Sequence, residues 1–446
     1  MCTSSDRSLA GAAVPVIAAL TVFFFACGSS SVHVLLDIGH PGRWVVLLLL
    51  LAASAWWAAE RGRVLFVDPA VAAAAIFLVL VAAASSTWSV APRLTFERAA
   101  TLAVLVLIAL LTAHATAGRP ADARRVLAGL IAGSVLVALA GVLVYVVAHH
   151  DAVEIASPEI PARFKGMGQN PNTSSLLFAV AAPNAAWMLA STHTIKQRLL
   201  WASALTLLAA SIVASGSHGA LIAAGAGCAV VGFLVLRRRA LRLTAIAAVA
   251  ATVVAGFWIE TLPQPSRTQP TAAAAPSPPP AARPGYTDAE INTPLNGELG
   301  IPLPGQKNPR TLTSSSGRIE AWRGAIRQAE QRPIAGYGFG TESHVFIDRW
   351  WTFTGGVPED SYIGIALQLG VAGILVFGAL LAALSRCAFR SFVRQRRGVV
   401  AAGFGVLVAA LVAAVGQSYI YSVGDVATTT VWISVFLLAP IRRADA

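Results

Sequence analysis

Residues 69–87 read Pro-Ala-Val-Ala-Ala-Ala-Ala-Ile-Phe-Leu-Val-Leu-Val-Ala-Ala-Ala-Ser-Ser-Thr, a run of 19 residues without a charge. The hydrocarbon core of a bilayer is crossed by a helix of roughly 20 mostly apolar residues. Working outward from this stretch, twelve segments have the same character: 9–27, 44–59, 69–87, 99–115, 126–148, 174–190, 199–214, 218–236, 243–260, 362–385, 398–416 and 424–440. Their Ala, Leu and Val repetition favours helices, and no segment alternates as the strands of an outer-membrane barrel do. The whole chain agrees: of 446 residues, 56% are hydrophobic and 12% charged, with a mean hydropathy of +0.68. Average soluble chains carry about twice that charged fraction. A set of soluble domains is excluded, and the expected fold is an all-α polytopic membrane protein of about 12 transmembrane helices.

The formal net charge of +12 invites a nucleic-acid reading, but the cations are sorted by loop. Arg7, Arg61, Arg63, Arg119, Arg124, Arg125, Lys196, Arg198, Arg237, Arg238, Arg239, Arg242, Arg386, Arg390, Arg394, Arg396, Arg397, Arg442 and Arg443 fall on alternate connections, 19 in all. The short connections of the opposite set hold Arg43, Arg93, Arg98, Arg163 and Lys165. Positive charge resists translocation, so the first set is expected in the cytoplasm together with both termini. No nucleic-acid partner is expected. The four cysteines are scattered singly, which indicates neither a disulfide framework nor a zinc site. No small-x-small site closes the first apolar run as a signal peptide would require.

The organisation that follows is helices one to nine over 1–260, an extracytoplasmic loop over 261–361, and helices ten to twelve with a cytoplasmic tail over 362–446. The Pro/Ala-rich stretch 263–304 favours solvated, extended chain. An amphipathic helix is expected at about 316–331, because Ile319, Trp322, Ile326 and Ala329 recur at helical steps before Pro333. It is expected to lie on the membrane surface or to cap the bundle. Arg318 in its first turn opposes the helix dipole, the kind of local conflict found at functional sites. Gly336-Tyr337-Gly338-Phe339-Gly340 lacks the strand–helix context of a nucleotide loop and reads as a tight turn permitting close backbone approach. Asp360 or Ser361 suits the cap of the next helix, whereas Glu359 has no such structural task.

No span carries a carboxylate at its middle, which argues against a proton-coupled transporter with an intramembrane relay. No Walker loop or Asp-x-Asp pair suggests ATP or a metal-bound sugar nucleotide. What remains is a group of cations on the outer face with one or two candidate bases, which suits a phosphate-bearing lipid substrate. Arginines absorbing the charge of a pyrophosphate make it a good leaving group without a metal or other cofactor.

Five stretches resemble the O-antigen ligase/polymerase superfamily, whose members move glycans from undecaprenyl pyrophosphate to an acceptor. They are Ser85–Ser89 with Glu97-Arg98; Arg163 to Asn172; Ser217-His218-Gly219-Ala220; Ser316-Gly317-Arg318 to Trp322 with Arg332 to Gly338; and Glu359-Asp360-Ser361-Tyr362 with Leu367 to Gly370. The resemblance implies an inverting, metal-independent glycosyltransferase of the bacterial inner membrane. Its donor would be an undecaprenyl-pyrophosphate-linked glycan, and its acceptor a glycan or lipid A core. It implies Glu359, Arg318 and His218 as catalytic residues, with Arg163, Lys165, Asn172, Asp360 and Tyr362 contacting substrate. Two positions depart from the family pattern: His218 stands where the family has arginine, and Glu359 where it has its catalytic histidine. A carboxylate can accept a proton as an imidazole does. His344 is a second candidate base. The competing reading is a non-catalytic lipid or polysaccharide transporter or scaffold on the same fold.

Overall fold

The computed structural model describes residues 9–62, 66–154, 162–236, 239–261, 318–345, 357–393 and 398–440. The expected Pro/Ala-rich stretch 263–304 and the first residues of the expected amphipathic helix, 316 and 317, lie outside the described residues. In chain order the helices are α1 (Leu9–Cys27), α2 (His33–Ala59), α3 (Pro69–Ala84, continued by a tight turn to Thr87), α4 (Pro92–Thr116) and α5 (Pro120–Val147). They continue with α6 (His149–Ala152), α7 (Pro171–Ser191), α8 (Ile195–Ser215), α9 (His218–Val235) and α10 (Arg239–Thr261). Last come α11 (Arg318–Glu330), α12 (Glu342–Val345), α13 (Ser361–Val393), α14 (Val399–Ala413) and α15 (Thr428–Phe436). Two short strands, β1 (Val153–Glu154) and β2 (Arg163–Phe164), pair antiparallel between α6 and α7.

Among the described residues nine helices are long and apolar enough to cross a membrane, so the chain is a multi-pass membrane protein. The other three expected segments are also helical, but differently proportioned. Segment 243–260 falls within α10; α14 has 15 residues and α15 only nine. The chain leaves the helix after Ala413 and passes through hydrogen-bonded turns, with the Asp425 carboxylate accepting from the Ala427 N–H at 2.8 Å before α15 begins. A strongly apolar sequence therefore does not form one continuous helix from 424.

Proline opens α3, α4, α5 and α7, where its missing N–H is one the helix would leave unbonded in any case. The bundle closes on small residues. A methyl group at Gly227 of α9 would come within 2.6 Å of the Gly405 carbonyl of α14. Lipid chains are as apolar as leucine, so such close approach replaces the hydrophobic drive that packs soluble helices. At one end of the bundle Asp68 caps α3 through the Ala70 N–H (2.9 Å) and receives Arg386 of α13 at 2.9 Å. Asp122 there pairs with Arg61 at 3.3 Å and Arg125 at 2.9 Å.

The other end is built around a break in α13. Gly370 has φ 59° and ψ −152°, so the helix is interrupted there. Its freed carbonyls are taken by the preceding loop: Leu367 O accepts from the Tyr337 N–H at 3.1 Å and Gln368 O from Gly338 at 2.8 Å. In return the Val371 N–H donates to Pro333 O at 2.8 Å. Non-helical backbone at such a position is tolerated where protein satisfies it.

The α11 helix, Arg318–Glu330, falls within the segment where an amphipathic helix is expected, and the side it packs is the small one. Ala321 and Ala325 are buried together with Tyr337 and Leu367, whereas Ile319 and Ile326 stand 43% and 45% exposed. Of the four expected stripe positions Ile319 and Ile326 thus face outward, while Trp322 and Ala329 are partly buried. Alanine allows α11 to lie close against α13, and the bulky isoleucines would hold it away.

Candidate functional site

Three of the sequence stretches meet at the α13 break. The indole of Trp88 donates to Ala335 O at 2.9 Å, the Val90 N–H to Tyr337 O at 3.0 Å, and the Phe339 N–H to Ser85 Oγ at 3.0 Å. The glycine turn sits between this Trp-Ser segment and α13. Gly338 has φ 108°, and a Cβ there would strike Ser89, while one at Gly336 (φ 63°) would strike Gln368. The turn is one of close backbone approach, as its glycines imply.

Arg318 and Glu359, 41 positions apart, are in direct contact. Glu359 Oε2 accepts from Arg318 Nε at 2.9 Å and from Nη2 at 2.7 Å. Both side chains are about three-quarters buried, at 25% and 22% exposure. The Trp322 indole, one turn along α11, donates to Pro358 O at 2.9 Å and fixes the helix to the loop carrying Glu359. Glu359 is held at φ 51°, and among the described residues no other non-glycine has positive φ. That conformation costs on the order of 1 kcal/mol and persists only where surroundings impose it.

Asp360 follows as the cap of α13, its carboxylate accepting from the N–H groups of Tyr362 (2.8 Å) and Ile363 (2.9 Å). Burial pushes its carboxyl above the usual range, opposed by those two bonds. Both capping bonds come from one oxygen, so Asp360 has a structural task of its own. The Tyr362 hydroxyl donates to Leu411 O at 2.8 Å, tying α13 to α14.

Glu342, at the start of α12, was not singled out by sequence. It is buried, with Oε1 accepting from Ser418 at 2.6 Å and Oε2 from Gln368 (3.0 Å) and the Tyr421 hydroxyl (2.9 Å). Burial raises its carboxyl to about 7, with Asp360 adding to the rise and the three hydrogen bonds opposing it. Ser418 joins the two carboxylate segments, since its Oγ also accepts from the Asp360 N–H at 3.0 Å. A small polar cavity of about 90 Å³ lies here, lined by Glu342, Arg98, Gln368, Ser418, Tyr421 and Ser422 among others.

The remaining expected residues lie on other elements. Arg163, in β2, pairs with Glu154 of β1 at 2.6 Å, so its charge is already balanced. Lys165 follows in the turn bonded to Ala152. Asn172 is the second residue of α7; the capping is done by Asn170, whose side chain accepts from Asn172 N–H (2.9 Å) and Thr173 N–H (3.0 Å). The Asn-Pro-Asn stretch is thus a capped helix start. His218 is the first residue of α9, after the left-handed Gly216 that ends α8. His344 is exposed in α12. Arg43 and Arg98, both in the smaller of the two cation sets, are close enough to repel each other. Among the described residues neither has a carboxylate partner, and the Arg43 Nε is buried without a hydrogen bond. The sorting of cations places these two in one set with Arg93, Arg163 and Lys165; what sequence does not reveal is that they stand together.

No curated protein matches the chain in a sequence comparison. Residues 202–378, which run from α8 through the break in α13 and include His218, Arg318, Glu342 and Glu359, match the family described as O-Antigen ligase, the family that the sequence motifs resemble.

Proposed function

We propose that the protein is a membrane glycan ligase or polymerase, transferring an oligo- or polysaccharide from undecaprenyl pyrophosphate to an acceptor hydroxyl at the extracytoplasmic end of the bundle. The observation that carries this reading is the Arg318–Glu359 pair at 2.7 Å. It joins the anion-binding arginine of one motif to the base position of another. In the resting chain each occupies the other. A pyrophosphate competing for Arg318 releases the Glu359 carboxylate toward the acceptor, so that donor binding itself frees the base.

The acceptor oxygen then attacks the anomeric carbon as the bond from that carbon to the pyrophosphate oxygen breaks. The electron pair leaves with the pyrophosphate, the hydroxyl proton passes to Glu359, and configuration inverts. Guanidinium groups meet the developing charge. Arg318 is the first of these, and Arg43, which has no carboxylate partner among the described residues, is freer to assist than Arg163, whose partner is Glu154.

The test is transfer in proteoliposomes supplied with lipid-linked donor and acceptor. Arg318→Ala is expected to abolish it, and Glu359→Gln to slow it about 100-fold or more. Normal transfer by Arg318→Ala refutes the assignment. Unchanged turnover by Glu359→Gln keeps transfer but removes that residue as base. A wild-type chain that moves glycan lipids without forming a glycosidic bond establishes the transporter reading instead.

A further inference from the structure

The polar cavity around Glu342 has no task in the transfer step just described. Its lining is unusual for a chain of this composition: a carboxylate, an arginine, the phenol of Tyr421 and the hydroxyls of Ser418 and Ser422 converge in about 90 Å³. That is room for about three waters, or for one hydroxyl-bearing arm of a sugar. A carboxylate offers about four acceptor sites, and three are used by Ser418, Gln368 and Tyr421. The remaining site belongs to Oε1. Its three partners are neutral, and no ion pair within the described residues balances it. A residue needed only to bridge neighbours in such a place would be less costly as an amide.

The fold also makes room for this carboxylate. A Cβ at Gly364 of α13 would collide with the Tyr421 hydroxyl and the Glu342 carboxylate. The cavity reaches Val357, two residues before Glu359, and Ser418 links Glu342 to the Asp360 N–H.

We propose that this cavity is a sugar subsite, in which Glu342 accepts a hydrogen bond from a non-reacting hydroxyl of a glycan while Arg98 and Ser422 flank that arm. A buried carboxylate disfavours phosphate here, so the ligand is the neutral carbohydrate part of a substrate. The sugar belongs to the donor or to the acceptor, two sources with the same chemistry. That the ligand is a glycan rests on the transfer reading; the cavity's capacity for a sugar hydroxyl is tested without it.

The experiment uses the full chain in lipid nanodiscs. A panel of methyl hexopyranosides is added, and hydrogen exchange is followed at 340–345 and 417–422. Wild type is expected to gain protection there, and both Glu342→Gln and the cavity-filling Ser422→Leu to lose it, with exchange in the remaining helices unaltered. Absence of protection with every glycoside overturns the proposal. In proteoliposomes the same variants are expected to raise one KM about tenfold, the loss expected for one hydrogen bond to a charged group, with little change in kcat. A shift in the donor KM assigns the arm to the donor, and a shift in the acceptor KM to the acceptor; no shift in either overturns the subsite. Glycoside protection without wild-type turnover removes the transfer reading and keeps the subsite, and turnover with neither protection nor KM shift does the reverse.

Discussion

Glu342 carries a consequence for stability that does not depend on the reaction. Its carboxyl titrates near 7 in the folded chain, against an ordinary value of 4.5. The fold therefore binds its proton more tightly than the unfolded chain does. Stability is full below about pH 4.5 and declines as pH rises through 7, by on the order of 3 kcal/mol across that window. Asp360 and Tyr421, both also shifted upward, and Arg98 across the cavity face the same group. The melting temperature of detergent-solubilised protein is expected to fall between pH 5 and 8, and Glu342→Gln to flatten that slope. An identical slope in the variant would show that Glu342 is not its source.

The Arg318–Glu359 pair makes a second prediction at this scale. If the contact orders the loop, the exchanged variant Arg318→Glu with Glu359→Arg keeps its melting temperature while transfer is lost. Equal loss of both would make the pair purely structural. Sequence marked each partner for a sound reason, a cation opposing a helix dipole and a carboxylate without a cap to make. It held no signal that the two touch, because side-chain pairing across 41 positions has no period to detect.

Among the elements, α13 decides the geometry of the site. Gly370 occupies backbone conformations that only glycine adopts readily, and a Cβ there would lie 2.5 Å from Pro333 O. Gly370→Ala is expected to destabilise the protein by about 2 kcal/mol or more. It should also loosen the Arg332–Gly340 turn, seen as faster exchange at Tyr337 and Gly338, whose N–H groups bond to Leu367 and Gln368. Unchanged exchange would show that the turn does not depend on the break. Sequence presented 362–385 as an unbroken apolar span, since hydropathy records composition and is blind to one residue's dihedral angles. The side of α11 that packs on α13 was hidden for a related reason. Periodicity identifies the bulky stripe, but close packing onto α13 selects the small one, Ala321 and Ala325.

For the molecule as a whole, the two ends of the bundle differ in how their charges are used. Asp68 and Asp122 gather arginines at one end, whereas at the other Arg43 and Arg98 have no carboxylate partner among the described residues. Asp68→Asn removes the partner of Arg386 and weakens the α3 cap, and is expected to cost about 2 kcal/mol, read as a lowered melting temperature. Sidedness is tested by single cysteines. A membrane-impermeant maleimide is expected to label Ser343→Cys in intact spheroplasts, and Arg125→Cys only after lysis. The reverse pattern would invert the bundle and place the candidate site in the cytoplasm.

The sequence by itself determined the class of molecule, most of the segments that become helices, the sorting of cations and the identity of the motif residues. These follow from local composition and from the free energy of placing charge or bare backbone in hydrocarbon, which each segment feels separately. Only the tertiary structure decided that α13 breaks at Gly370, that Arg318 meets Glu359, and that Glu342 is enclosed by Gln368, Ser418 and Tyr421. Those facts arise from backbone and side-chain groups distant in the chain satisfying one another in a small space, which no single segment encodes.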